Sequence, residues 1–68
     1  MSDNLAEALP KEIARVRDEL IPIYSKFCTG KLAVWMMRKD IELAEKAITA
    51  QDTVEMIRAY QALQGYTL

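Results

Sequence analysis

The sequence predicts an all-α protein, a small three-helix bundle that forms one domain over residues 1–68. Apolar residues recur at alternating steps of three and four along most of the chain, which is the spacing of one face of an α-helix. The two prolines and two glycines punctuate these periodic stretches, and 68 residues leave no room for a second domain. Patterns typical of helix starts divide the chain into three helices.

The first helix is predicted over about residues 10–28. Proline suits the first helical position, where its missing N–H would be unpaired in any case, so we expect the helix to start at Pro10. Asn4 followed by Glu7 resembles a helix cap, but a helix that began there would contain Pro10 and lose a backbone hydrogen bond. We therefore expect residues 5–9 to form a loose turn.

Pro22 interrupts this first helix. It cannot donate to the Asp18 carbonyl and it disfavours helical geometry at Ile21, so we predict a kink at Pro22. The apolar period continues beyond Pro22, which indicates a bend and not an end. The predicted core stripe of this helix consists of Ile13, Val16, Leu20, Ile23 and Phe27.

The second helix is predicted over about residues 30–50, after a break at residues 28–30. Thr29 is the expected N-cap, because its hydroxyl can accept from a free N–H of the first turn. Arg38 and Glu42 lie four residues apart and predict an ion pair on the outer face. The core stripe of this helix consists of Ala33, Met37, Ile41, Ala44 and Ile48.

The third helix is predicted over about residues 53–64. Asp52, followed three residues later by a glutamate, is a helix-capping pattern. Gly65 is expected to adopt the left-handed conformation that often ends a helix, with Tyr66 folding back onto Tyr60. The core stripe of this helix consists of Met56, Ile57, Tyr60 and Leu63.

The composition limits how such a small protein is stabilised and what it can catalyse. A core of this size contributes only about 3–5 kcal/mol, so small domains commonly need a disulfide, a metal or a partner chain. Cys28 is the only cysteine and the chain has no histidine, which leaves neither an intrachain disulfide nor a structural zinc site. We therefore predict self-association as a dimer, and no cofactor. Without a histidine as general base or as activator of Cys28, we expect no enzymatic activity.

The expected location of the protein is the cytoplasm, without membrane contact. No basic start leads into an apolar run with a cleavage site. No apolar stretch approaches the roughly 18 residues of a membrane span. A lone thiol also agrees with a reducing compartment.

Six consecutive apolar residues, 32–37, begin the second helix. Side chains of a continuous run point to all sides of a helix, and two neighbouring helices leave part of such a run in solvent. Three interpretations are open: burial under the other two helices, burial in a homodimer, or a surface that binds a different protein. The last two predict a protein–protein interaction module whose interface residues are Leu32, Trp35 and Met36.

A basic patch around the start of the second helix supports an alternative function. The patch consists of Lys26, Lys31, Arg38 and Lys39. Basic residues interleaved with aromatic ones can bind nucleic acid, so the alternative is a nucleic-acid-associated accessory protein. A nucleic acid is nevertheless not the partner we expect. The net charge is −1, and the third helix, which would read the groove in a helix-turn-helix protein, contains Arg58 as its one basic residue.

The second half of the chain resembles a known group of proteins. The residues that carry the resemblance are Met36, Met37, Asp40, Ala44, Ala47, Asp52 and the run 56–63, which reads Met-Ile-Arg-Ala-Tyr-Gln-Ala-Leu. They are similar to the C-terminal half of small uncharacterised helical proteins encoded by bacteriophages and prophages. The resemblance implies an accessory phage product, such as an inhibitor or adaptor, that acts by binding. It assigns no residue a functional role.

Overall fold

Three helical segments pack against one another and form the bundle. The computed structural model describes residues 4–67, in which all regular secondary structure is helical. The elements in chain order are α1 (Leu5–Arg15), a π-helical turn (Val16–Leu20), α2 (Ile21–Tyr24), a 3-10 turn (Cys28–Gly30), α3 (Lys31–Ala50) and α4 (Thr53–Gln64). The first three elements follow one another without a gap, so residues 5–24 form the first helical segment of the bundle. The predicted all-α, three-helix architecture is confirmed.

The first helix starts at Leu5, five residues before the predicted start, and the expectation of a loose turn over residues 5–9 is wrong. The Asn4 side chain caps it, accepting from the Glu7 N–H at 3.0 Å. Pro10 therefore lies inside α1 and removes one backbone donor from the helix. Burial offsets this cost, because Leu9, the residue immediately before Pro10, is completely shielded from solvent.

The first helical segment ends at Tyr24 and not at residue 28, and it is wound more widely just before Pro22. The Ile21 N–H donates to the Val16 carbonyl, five residues back, as in a π-helix. The wider turn places one extra residue before Pro22 and shifts the phase of the apolar stripe. Ile21 is consequently buried, whereas Ile23 and Phe27 of the predicted stripe are 37% and 57% exposed. A bend at Pro22 stays a prediction.

The ends of α3 and α4 agree with the predicted ranges, but two of the expected terminal signals are wrong. Gly30, not Thr29, occupies the N-cap position of α3, and no side chain caps this end. The left-handed residue is Gln51, with φ 55°, at the end of α3, whereas Gly65 is right-handed with φ −70°. The cap on α4 is confirmed, since the Asp52 side chain accepts from the Glu55 N–H at 3.2 Å.

The core lies where the three helical segments meet. Of the predicted stripe on α4, Ile57 is on the surface with 44% exposure, whereas Leu63 is fully buried. Arg15 adds a polar contact beside the core, donating from Nη2 at 3.0 Å to the Leu63 carbonyl at the end of α4, which also accepts from the Tyr66 N–H at 3.2 Å. The clustered buried residues are Leu9, Ile13, Val16, Leu20, Ile21, Val34, Met37, Ile41, Ala44, Ala59 and Leu63.

The segment after α4 is tied to the rest of the bundle by two tyrosines. The Tyr66 hydroxyl donates to Asp40 Oδ2 on α3 at 2.6 Å. The Tyr24 hydroxyl donates to the Thr67 carbonyl at 2.5 Å. Tyr66 thus directs its hydroxyl to α3, whereas the sequence led us to expect a contact with Tyr60. Partial burial and the neighbouring Asp40 carboxylate, in that order, raise the pKa of Tyr66 to about 12.

The Tyr66–Asp40 hydrogen bond predicts a specific loss of stability at high pH. The pKa of Tyr66 rises from 10.0 to about 12 on folding. The contribution of the neutral Tyr66 side chain to the free energy of unfolding is therefore complete below pH 10 and is lost as the pH approaches 12. We expect Tyr66→Phe to lower the free energy of unfolding by about 1 kcal/mol below pH 10, because the tyrosine is only partly buried. The wild-type and Tyr66→Phe values should converge near pH 12, as measured by urea denaturation at a series of pH values.

Tyr60→Phe is the matched control for this measurement. The Tyr60 hydroxyl has no hydrogen-bond partner among residues 4–67. Tyr60→Phe should therefore keep the loss of stability at high pH that the Tyr66–Asp40 hydrogen bond predicts. A difference between wild type and Tyr66→Phe that stays constant up to about pH 12 would contradict the assignment to the Asp40 contact.

Candidate functional site

The apolar run 32–37 is divided between the core and the surface. Val34 and Met37 are buried, with 8% and 1% exposure. Leu32, Trp35 and Met36 are 67%, 60% and 45% exposed, so the structure places all three predicted interface residues at the surface. The run is therefore not enclosed within the monomer.

A fourth exposed residue extends this surface along α3. Leu43 is 54% exposed and lies seven residues, or about two helical turns, after Met36. We call Leu32, Trp35, Met36 and Leu43 the apolar face. Leu43 also borders two shallow grooves of about 200 and 250 Å³ between α3 and α4. Sequence reasoning missed Leu43, although its spacing from Leu32 and Met36 is the signal that would have found it.

A lysine lies between residues of the apolar face and contacts two neighbouring side chains. Lys39 Nζ is 5.9 Å from the centroid of the Trp35 ring and 3.6 Å from Glu42 Oε1. Both contacts are exposed and weak, of the order of a few tenths of a kcal/mol each for pairs of this kind. Glu42 thus pairs with Lys39, and the expected pair with Arg38 is wrong.

The predicted basic patch is only partly assembled. Lys31 and Arg38 line a cavity of about 330 Å³ together with Ser25, Val34 and Trp35. Neither cation forms a hydrogen bond or an ion pair with another residue in the described part of the chain. Lys39 lies instead with Trp35 and Glu42, and Lys26 is exposed in the turn after α2 without lining this cavity.

The chemistry available elsewhere is sparse. Between residues 4 and 67, no group of three or more His, Cys, Asp or Glu side chains is placed to hold a metal ion. Cys28 is a free thiol, exposed in the 3-10 turn. Within the same residues, no helix combines the length and hydropathy that crossing a bilayer requires.

Two further apolar side chains are exposed on α4. Val54 and Ile57 are 59% and 44% exposed, close to the values for Trp35 and Met36. Neither lines the grooves beside Leu43. They are therefore matched in exposure to two members of the apolar face while lying on a different helix.

The fold and this surface define a small α-helical protein with an uncovered apolar face along its longest helix. No protein-family model, curated protein or solved structure matches the chain.

Proposed function

We propose that this chain is a small non-enzymatic protein–protein interaction module that binds its partner through the apolar face of α3. The observation that carries the proposal is the exposure of four large apolar side chains on one side of a single helix. Exposed apolar groups cost free energy in water, and contiguous ones commonly mark binding surfaces.

The composition of the face supports the same function. Tryptophan and methionine are enriched at interfaces, the first as a large anchor and the second because its flexible side chain adapts to a partner. Trp35 and Met36 are adjacent in the middle of the face, flanked by Leu32 and Leu43. A face of this kind binds an apolar surface of another helix most readily.

The resemblance of residues 36–63 to small phage and prophage proteins extends the proposal. An accessory phage protein of this kind acts by binding a protein, as an inhibitor or adaptor. The exposed Cys28 thiol suits a reducing compartment, so the proposed location is the cytoplasm.

The test compares capture of protein by three immobilised forms of the chain. The first is the wild type, the second carries Trp35→Ser with Met36→Ser, and the third carries Val54→Ser with Ile57→Ser. The third is the matched control, because its two side chains are as exposed as those removed from the apolar face. The bound protein is measured from a bacterial lysate and from a solution of the purified chain itself.

We expect the wild type and the Val54/Ile57 control to retain similar amounts of the same protein. The Trp35/Met36 variant should retain at least about tenfold less, because large side chains at the centre of an interface dominate its binding energy. Thermal melts should show all three forms folded, since the four positions are exposed. Equal retention by all three forms would exclude the apolar face as the binding surface.

The cavity beside Trp35 favours one alternative function, the binding of nucleic acid. Two cations without ion-pair partners in residues 4–67 and an exposed indole can pair with phosphate and stack on a base. Trp35 is the only tryptophan, so its fluorescence reports such binding directly. Binding of a single-stranded oligonucleotide that weakens steeply with salt, and is lost in Lys31→Gln with Arg38→Gln, would favour this alternative.

A further inference from the structure

We propose that the occupant of the apolar face is a second copy of this chain, with the two α3 helices packed side by side in antiparallel directions. The inference rests on the proposed function, because it names the partner of the same face. Three observations carry it: the spacing of the exposed residues, the charges between them, and the dimensions of α3.

The exposed residues of α3 follow the spacing by which two helices pack together. Steps of four and three from Leu32 lead to Met36, Lys39, Leu43, Lys46 and Ala50. Alternation of four and three, which amounts to seven residues for every two steps, is the spacing of the seam of a two-helix coiled coil, in which each seam side chain fits between residues of the facing helix. All six positions are outside the core of the monomer, and both lysines can lay their methylene chains over apolar neighbours.

The lysines in the seam determine the direction of the second copy. In a parallel pair in register, every seam residue lies beside its own counterpart, so Lys39 would face Lys39 and Lys46 would face Lys46. Like charges at a closed interface repel each other and lose water. In an antiparallel pair each residue faces a different one, and these contacts are avoided.

The antiparallel pair also supplies each lysine with a suitable neighbour. When the two helices overlap completely, each residue faces the one equally far from the opposite end of the helix. Lys39 then faces Glu42 of the second copy, and Lys46 faces Trp35 of the second copy. Two ion pairs and two cation–π contacts form across the interface, each on a pair of residues that the monomer leaves exposed.

The size of α3 fits a stable dimer. Its 20 residues extend for about 30 Å, close to the 37 Å length of the whole molecule. A standard interface covers about 800 Å² of each partner, which is about one sixth of the 4857 Å² surface of this chain. A domain with so small a core gains the additional stability that association provides.

Self-association and its charge dependence test the proposal in solution. Sedimentation equilibrium of the wild type should show a concentration-dependent dimer, and the melting temperature should fall on dilution. Lys39→Glu places a carboxylate opposite Glu42 of the second copy, and Glu42→Lys places two ammonium groups together. Each variant alone should weaken the dimer about tenfold, whereas a mixture of the two should recover wild-type affinity as a heterodimer. Lys26→Glu changes the net charge by the same amount as Lys39→Glu but lies outside α3, so it should leave the affinity of the dimer unchanged.

Disulfide trapping tests the direction of the helices. In a Cys28→Ser background, chains with Leu32→Cys are mixed with chains with Ala50→Cys and oxidised slowly. The complete antiparallel overlap places residue 32 opposite residue 49 of the second copy, next to residue 50, so intact mass spectrometry should show the mixed disulfide dimer in excess over both disulfide homodimers. Homodimers in excess would overturn the antiparallel arrangement.

The two proposals fail in different ways. A chain that stays monomeric at millimolar concentration would overturn this inference. Capture of another protein that depends on Trp35 and Met36 would still support the proposed function in that case. A dimer that Trp35→Ser with Met36→Ser leaves intact would place self-association on another surface and would also overturn the inference.

Discussion

Leu9→Ala is expected to lower the free energy of unfolding by about 3 kcal/mol, which leaves a large fraction of the protein unfolded at room temperature. Leu9 has no solvent exposure and belongs to the clustered core, so its truncation removes buried methyl groups and leaves a cavity. A chain of 68 residues has about 3–5 kcal/mol to lose. Urea denaturation followed by circular dichroism measures the change.

Leu32→Ala is the matched control for this experiment. It deletes the same atoms from a leucine that is 67% exposed, and it should change the stability of the monomer by less than about 0.5 kcal/mol. Both variants are measured in dilute solution, where association contributes least. A small effect at Leu9 would mean that residues 5–9 form the loose turn predicted from Pro10.

Gly30→Ala is expected to lower the free energy of unfolding by about 3 kcal/mol. A Cβ atom at residue 30 would overlap the carbonyl oxygen of Tyr24, which already accepts from the Phe27 N–H at 3.2 Å. Both overlapping groups are attached to the backbone, so relief requires a shift of the connection between α2 and α3. The φ of Gly30 is −86°, so the cost arises from the close approach and not from an unusual conformation.

Gly65→Ala serves as the control for the second prediction. A Cβ atom there would lie 3.4 Å from the Ala62 carbonyl oxygen, and the backbone is right-handed. We expect this change to be neutral or slightly stabilising, because alanine restricts the unfolded chain more than glycine does. Thermal melts of the two alanine variants should differ by at least 8 °C, given about 4–8 °C per kcal/mol for a domain of this size. Equal melting temperatures would show that the connection between α2 and α3 tolerates a side chain.

Local patterns of the sequence were sufficient for α4, whose predicted capping residue and range both agree with the structure. Asp52 and the apolar spacing of residues 53–64 predicted α4 correctly, since a cap hydrogen bond involves residues only three apart. The same local rule failed at the first helix, where Pro10 indicated a later start. The burial of Leu9 against other helices outweighs the lost backbone hydrogen bond, and that burial is not visible in local sequence.

In the candidate site, too, some features were predictable from the local sequence and others were not. The uninterrupted apolar run predicted that part of residues 32–37 stays in solvent, and the three side chains named from it, Leu32, Trp35 and Met36, are exposed. Sequence reasoning did not include Leu43, and it grouped four basic residues of which only Lys31 and Arg38 line one cavity. Whether two cations line the same cavity depends on the side of α3 from which each side chain projects and on the position of Ser25, which lines the cavity with them.

The sequence by itself determined that this protein is helical, where two of its three helices lie, and that α3 has more apolar residues than its neighbours can cover. These properties follow from helix periodicity, capping and composition, which act over a few residues. Only the tertiary structure decided where the first helix begins, how the π-helical turn before Pro22 exchanges Ile23 for Ile21 in the core, and which residues form the apolar face. These depend on contacts between residues far apart in the chain, whose burial energy exceeds local backbone preferences.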